Sequence, residues 1–192
     1  MAQATHKRSS PNQIWIPPPD GWLKINTDAA FADGISTSGI IFKNKSGTIV
    51  LAATFFHNCP DATTAECLAL LDACTIANYL KIKKAAFFTD CLNAVTFIKN
   101  SPMNCFWAAN PVVEKIKKCW SNWPHWVFKF SGRSSNAAAH SLAQWGASSA
   151  VTGLIPLDSL PIAVFCDRGF PIFDLSVFCD VSSSIINNLV IT

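Results

Sequence analysis

The run Lys84-Ala85-Ala86-Phe87-Phe88-Thr89-Asp90 is short, apolar and without polar alternation. A strand with no polar face is buried on both sides, as in a parallel sheet covered by helices. The flanks of this run agree. Upstream, Ala69, Leu70, Ala73, Ala77 and Leu80 fall on one face of a helix predicted over 63–80. Downstream, Cys91, Ala94, Val95 and Ile98 follow helical spacing at i, i+3, i+4 and i+7. The chain is therefore expected to build a mixed α/β layer structure around a buried strand at 84–90.

The remaining elements extend this pattern. Residues 23–31, 38–42 and 48–55 read as three strands, and Lys43-Asn44-Lys45-Ser46-Gly47 carries hairpin-turn chemistry between the last two. Short links favour an antiparallel meander. A loop is expected over 101–110. A helix over 111–120 with Pro111 at its start, a strand over 126–130 and a closing helix over 136–146 follow. Ser135 or Asn136 would be the N-cap of that last helix, with Gly146 near its end. Three strands, helix, strand, helices, strand, helix predict one mixed sheet with helices over its faces.

At 192 residues the chain suits one domain with flanks. We expect a Pro-rich arm over 1–20, the folded domain over 21–150 and an irregular tail over 151–192, where Pro156, Pro161 and Pro171 break any long helix. Half the residues are apolar and 14% are charged, which suits a globular chain. A net charge of +3 neither demands nor excludes a nucleic-acid partner. None of the eight cysteines forms a Cys-x2-Cys pair, and they do not cluster with the four histidines, which argues against zinc. The N-terminus has no apolar core of a secretory signal, and no run of about 18 apolar residues suggests a membrane span. An intracellular monomer is expected, with nucleus and cytoplasm both open.

Only 12 residues are acidic, so a carboxylate in an apolar setting stands out. Asp28 interrupts Ile25-Asn26-Thr27-Asp28-Ala29-Ala30-Phe31, and aspartate is disfavoured inside strands. Asp90 ends the buried strand, at the carboxyl edge where ligands gather in such sheets. Glu66 falls on the sheet-facing side of its helix, with Ala69, Leu70, Ala73 and Ala77. Each has a structural alternative. Asp90 is placed to cap the helix after it, and Thr63-x-x-Glu66 forms a capping box, although Asp61, Thr63 and Thr64 offer other caps. Asp28 has no such role. A partly buried carboxylate needs a partner, and converging carboxylates repel one another unless a cation joins them. Mg²⁺ takes oxygen ligands and would satisfy all three.

Four stretches carry a family resemblance. They are Trp-Ile-Pro-Pro-Pro-Asp-Gly-Trp-Leu-Lys-Ile-Asn-Thr-Asp (15–28), Thr-Thr-Ala-Glu-Cys-Leu-Ala-Leu (63–70), Phe-Phe-Thr-Asp-Cys-Leu-Asn-Ala-Val (87–95) and Arg-Ser-Ser-Asn-Ala-Ala-Ala-His-Ser-Leu-Ala (133–143). In this order they resemble the plant branch of the ribonuclease H-like family, related to the RNase H regions of non-LTR retroelement reverse transcriptases. The resemblance covers about residues 13–148. It implies an α/β, ribonuclease H-like fold: a five-stranded mixed sheet, its first three strands antiparallel, with helices on both faces. It implies Asp28, Glu66 and Asp90 as ligands and catalytic residues, and two Mg²⁺ ions, one activating a water and one stabilising the leaving 3′-oxygen. RNA in an RNA–DNA hybrid would be the substrate, told from DNA by its 2′-hydroxyl.

The pattern also breaks. The family's fourth carboxylate is here His140, which suits Mg²⁺ less well than Mn²⁺ and removes a negative charge from the site. The reading of His140 as a catalytic contact stands beside its reading as a plain helix residue. The loop Ser131-Gly132-Arg133-Ser134-Ser135 lacks the histidine many active members carry, and His125 lies before the last strand. Ala29 stands where the family has glycine. Arg133 and Asn136 match the family's Arg-x-x-Asn pattern and would either contact a phosphate or orient the last helix. Lys115 and Lys118, with Lys117 and Trp120, would offer a basic surface for nucleic acid or simply a solvated helix face. Trp120, Trp123 and Trp126 read more readily as core. Three functions follow: a divalent-metal endonuclease cutting RNA–DNA hybrids, a weakened or inactive nucleic-acid-binding module of retroelement origin, and, less favoured, a Mg²⁺-dependent phosphoryl-transfer domain using Asp90 or Asp28 as nucleophile.

Overall fold

A computed structural model of the chain describes residues 16–100 and 107–165. Most of the arm at 1–20, part of the loop at 101–110 and the tail beyond 165 lie outside the described residues.

The chain opens with three antiparallel strands: β1 (Leu23–Ala32), β2 (Ile35–Lys43) and β3 (Ile49–Asn58). β1 and β2 run longer than their sequence pattern suggested because Asp33 and Gly34, at φ 52° and 78°, form a two-residue turn of the kind that matches strand twist. Next come α1 (Ala62–Tyr79), β4 (Lys84–Thr89), α2 (Leu92–Lys99), α3 (Asn110–Trp120), β5 (His125–Phe130) and α4 (Ala137–Ser149). β4 runs parallel to β1 and to β5, as a strand without a polar face requires.

The sheet has six strands rather than five, in the order β5-β4-β1-β2-β3-β6. The sixth, β6 (Gly153–Ile155), comes from the stretch read as irregular tail and pairs with Ala52, Ala53 and Thr54 of β3. Three residues are too few for a period of two to show in sequence, and Pro156 follows at once. A short α5 (Ile162–Phe165) completes the described chain. Ile155, Leu160 and Val164 are buried, so this segment is part of the packed structure.

Each face of the sheet has its own core. Ile25, Ile40, Phe42 and Phe87 pack with Leu70 of α1, Phe97 of α2 and Ile116 of α3. Ile41 and Ala52 pack on the other face with Ala138 and Leu142 of α4 and Val164 of α5. Adjacent Ile40 and Ile41 thus serve opposite layers, as strand alternation dictates. Complete burial of such a side chain contributes about 1.5–3 kcal/mol. The three tryptophans are packing residues with satisfied ring N–H groups. Trp120 Nε1 donates to Trp126 O, Trp123 Nε1 to Asn78 Oδ1 and Trp126 Nε1 to Ile82 O.

The contact that positions the site is the seat of α4 on β2. A Cβ on Gly39 would lie 2.3 Å from Ala139 O and 2.5 Å from Ala143 N. Helix backbone therefore rests directly on strand backbone, at the residue that pairs with Asp28. Gly39→Ala should destabilise the fold by about 2–3 kcal/mol, as overpacking without an escape route does. Denaturant unfolding at neutral pH measures it, and a change below about 0.5 kcal/mol would refute the close seat.

Candidate metal centre

Three elements bring the acidic residues together. Asp28 lies on β1, Glu66 in the second turn of α1, and Asp90 directly after β4. One oxygen from each carboxylate lies within 4.8 Å of the others. Neither capping alternative holds. Asp61 caps α1, accepting from Thr64 N at 2.8 Å and from Thr64 Oγ1 at 2.8 Å. α2 has Cys91, not Asp90, at its N-cap, and no side chain makes a cap bond there.

Glu66 is oriented by its neighbours. Ala29 N donates to Glu66 Oε1 at 3.3 Å, and Thr89 Oγ1 donates to Oε2 at 3.1 Å. His140, in the first turns of α4, reaches Asp28 with Nδ1 at 2.6 Å from Oδ2. The residue at the fourth position therefore touches the acidic cluster through Asp28. Arg133 Nε lies 3.5 Å from Asp90 Oδ2, with its side chain 82% exposed.

Asn136 is elsewhere than a phosphate contact requires. It is 1% exposed, donates through Nδ2 to Thr27 O at 2.8 Å and accepts from Asn26 Nδ2 at 3.0 Å. Its side-chain amide is thus committed inside the protein and is not presented to solvent. Lys115 and Lys118 are exposed on the face of α3 opposite Val113 and Ile116. His125 pairs with Lys84 at the far ends of β4 and β5 from Asp90. Sequence reasoning missed Thr89 and Asn26. The available signal for Asn26 was an amide inside a strand, two residues before Asp28 and on its face.

The electrostatics follow from crowding. Burial, with the charge of Asp90 added, pushes Asp28 up to about 6, although the bond from His140 opposes the shift. Burial, with the charges of Asp28 and Asp90 added, pushes Glu66 up to about 9. The cluster thus needs positive charge or protons near neutrality. Three clustered carboxylates are the donor set for a hard divalent cation, and the residues fit that group.

This has a consequence for stability. Glu66 keeps its proton in the fold up to about pH 9 but loses it near its ordinary 4.5 when unfolded. Its contribution is complete at acid pH and is lost as pH rises toward 9. In a chelator, the melting temperature should fall between pH 6 and 9. Glu66→Gln should flatten that fall, and Mg²⁺ or Mn²⁺ should offset it by binding the folded state. Identical pH slopes for the two proteins, with no effect of metal, would contradict the crowded site.

No curated protein matches the chain in sequence. Solved structures do match in shape. RNase H1 from the halophilic archaeon Halobacterium salinarum NRC-1 is 15% identical, with TM-score 0.62, over 67% of this chain and 99% of its own. The N-terminal RNase H domain of a Mycobacterium tuberculosis protein is 17% identical, with TM-score 0.59, over 68% and 99%. LC11-RNase H1, isolated from compost by a metagenomic approach, is 18% identical, with TM-score 0.62, over 68% and 98%. A second structure of LC11-RNase H1 holds an RNA/DNA hybrid. At these identities the likeness is one of fold. The family itself is shown by sequence: the model described as reverse transcriptase-like matches residues 26–146. With that match over most of the described residues, and with the RNase H arrangement of strands and helices, the chain belongs to the reverse transcriptase-like, RNase H-like family.

Proposed function

We propose that this chain is a nucleic-acid-binding domain that hydrolyses RNA in RNA–DNA hybrids with the help of a divalent metal. The observation that carries the reading is the meeting of Asp28, Glu66 and Asp90 oxygens within 4.8 Å. The structure of LC11-RNase H1 with an RNA/DNA hybrid supports the choice of substrate. Mg²⁺ is the ion proposed, with Mn²⁺ as the alternative that an imidazole at the fourth position favours. The chemistry supplied by such an ion is that of a Lewis acid, which generates a nucleophile from water at neutral pH and offsets phosphodiester charge.

The chain's own residues do the rest. Asp28, Glu66 and Asp90 offer the oxygen donors. Ala29 N and Thr89 Oγ1 hold Glu66 in place, and His140 orients Asp28 while leaving the site one negative charge poorer. Arg133, exposed beside Asp90, is placed to meet a phosphate of the incoming strand. Lys115 and Lys118 on α3, with Trp107 84% exposed just before it, offer a basic and aromatic surface for the flanking nucleic acid.

A labelled RNA–DNA hybrid tests the proposal in Mg²⁺ and in Mn²⁺. The chain should cut the RNA strand, faster in Mn²⁺. Asp28→Asn and Asp90→Asn should each lose more than the roughly 10–100-fold that removal of an outer-shell partner costs. Cutting that survives both substitutions would end the enzyme reading. Salt-dependent binding without cutting in either metal would instead establish a binding module, the reading that His140 favours.

Arg133→Ala gives a separate test of the phosphate contact. Hybrid binding should weaken, and the slope of log affinity against log salt should fall by about 1. An unchanged slope would remove Arg133 from the interface.

A further inference from the structure

We infer that the buried side chains of Asn26 and Asn136 are a positioning pair, which fixes the turn at 133–136 to β1 and so sets His140 against Asp28 and Arg133 beside Asp90. This rests on the metal-dependent reading of the site and names the residues that hold its fourth corner in place.

The pair lies where the parallel ladder stops. β1 and β4 are paired from Leu23↔Ala85 as far as Asn26↔Phe88, and the strands part beyond that point. Asp28 and Asp90 stand on the parting ends. In that fork, Thr27 O accepts the amide of Asn136 at 2.8 Å, and Thr27 Oγ1 reaches Phe88 O at 3.3 Å. Asn26 Nδ2 then bonds Asn136 Oδ1 at 3.0 Å and the main-chain oxygen of Ser135 at 3.4 Å. Asn26 and Asn136 are 3% and 1% exposed, so the bonds are made away from water.

The direction of these bonds is forced. Thr27 O only accepts, so Asn136 must present its NH₂ there and its oxygen to Asn26. Aspartate at either position would meet oxygen with oxygen. Asn136 also occupies the N-cap position of α4 yet makes no side-chain cap bond. Asparagine is among the preferred caps, so here its amide is committed to the strand instead.

The main chain transmits that placement. Asn136 O accepts the first helical bond, from His140 N at 3.1 Å. His140 is therefore one turn, about 6 Å of rise, from the anchored residue. On the other side, Asn136 N returns to Arg133 O at 3.1 Å, which closes the turn that carries Arg133. Anchoring at one residue thus places a group on Asp28 and a group on Asp90 together.

The test is a double-mutant cycle on the full chain, Asn26→Ala with His140→Ala, reading Mn²⁺ affinity by calorimetry. Asn26→Ala should weaken Mn²⁺ by about tenfold when His140 is present, the scale of an outer-shell loss. It should weaken it by less than about twofold when His140 is already alanine, because the two then act through one contact. A second readout needs no metal. At fixed neutral pH the ring proton of His140 bound to Asp28 should be lost from the proton NMR spectrum of Asn26→Ala. The ring proton of His57, bound to Asp72 through Nε2 at 2.7 Å, should remain as a marker of the intact fold. Equal Mn²⁺ losses in both backgrounds, or a retained His140 signal, would overturn the inference. Should Asn26→Ala lose the His57 marker as well, Asn26→Ser is read in the same way. Wild-type protein that binds no Mn²⁺ would sink the metal reading, and the His140 signal would then decide the positioning role alone.

Discussion

The seat of α4 on the backbone of β2 is the constraint on which the remaining geometry depends. Only a residue without a side chain at Gly39 lets the helix oxygen of Ala139 and the amide of Ala143 come so near the sheet. That approach sets the depth of α4 over β2, next to the strand that carries Asp28. It also carries Ala138 and Leu142 into the second core, with Ile41 and Ala52. Fold and site therefore draw on the same few contacts, and the helix that closes the core also completes the acidic cluster.

The acidic cluster is the opposite kind of feature, an arrangement the fold must hold against its own charge. Burial, with the neighbouring carboxylates added, raises the affinity of Asp28 and Glu66 for protons. The surrounding groups are placed accordingly. Thr89 and the amide of Ala29 donate to Glu66, and His140 Nδ1 shares a hydrogen bond with Asp28, so each strongly perturbed carboxylate has a fixed orientation. A site kept in this form is suited to a divalent ion. The imidazole in the fourth place adds no carboxylate to it.

Much of this was legible in the chain, and for identifiable reasons. The run at 84–90 revealed a doubly buried strand because nothing polar interrupts it. Asp28 stood out because a strand interior gives aspartate no local role. Glu66 and Asp90 were ambiguous only while helix caps competed for them; Asp61 caps α1, and α2 begins from Cys91 without a side-chain cap. What stayed hidden depends on partners far along the chain. Asn136 looked like a contact for nucleic acid because a motif states which residue is present and not where its amide points. Its partners, Asn26 and Thr27, are about 110 positions away. β6 was hidden for another reason: three residues carry no periodic signal.

The pairing of β6 with β3 has a meaning beyond strand count. Without β6, β3 would be the rim of the sheet, a ten-residue strand with Ile49, Val50, Leu51, Phe55 and Phe56 along it. Open rims of that kind recruit other chains by backbone pairing. β6 covers Ala52 to Thr54, near the middle of that strand, and Thr54 Oγ1 adds a bond to Val151 O at 2.7 Å. The few residues after α4 thus act as a selvedge, finishing the sheet so that it does not unravel into its neighbours.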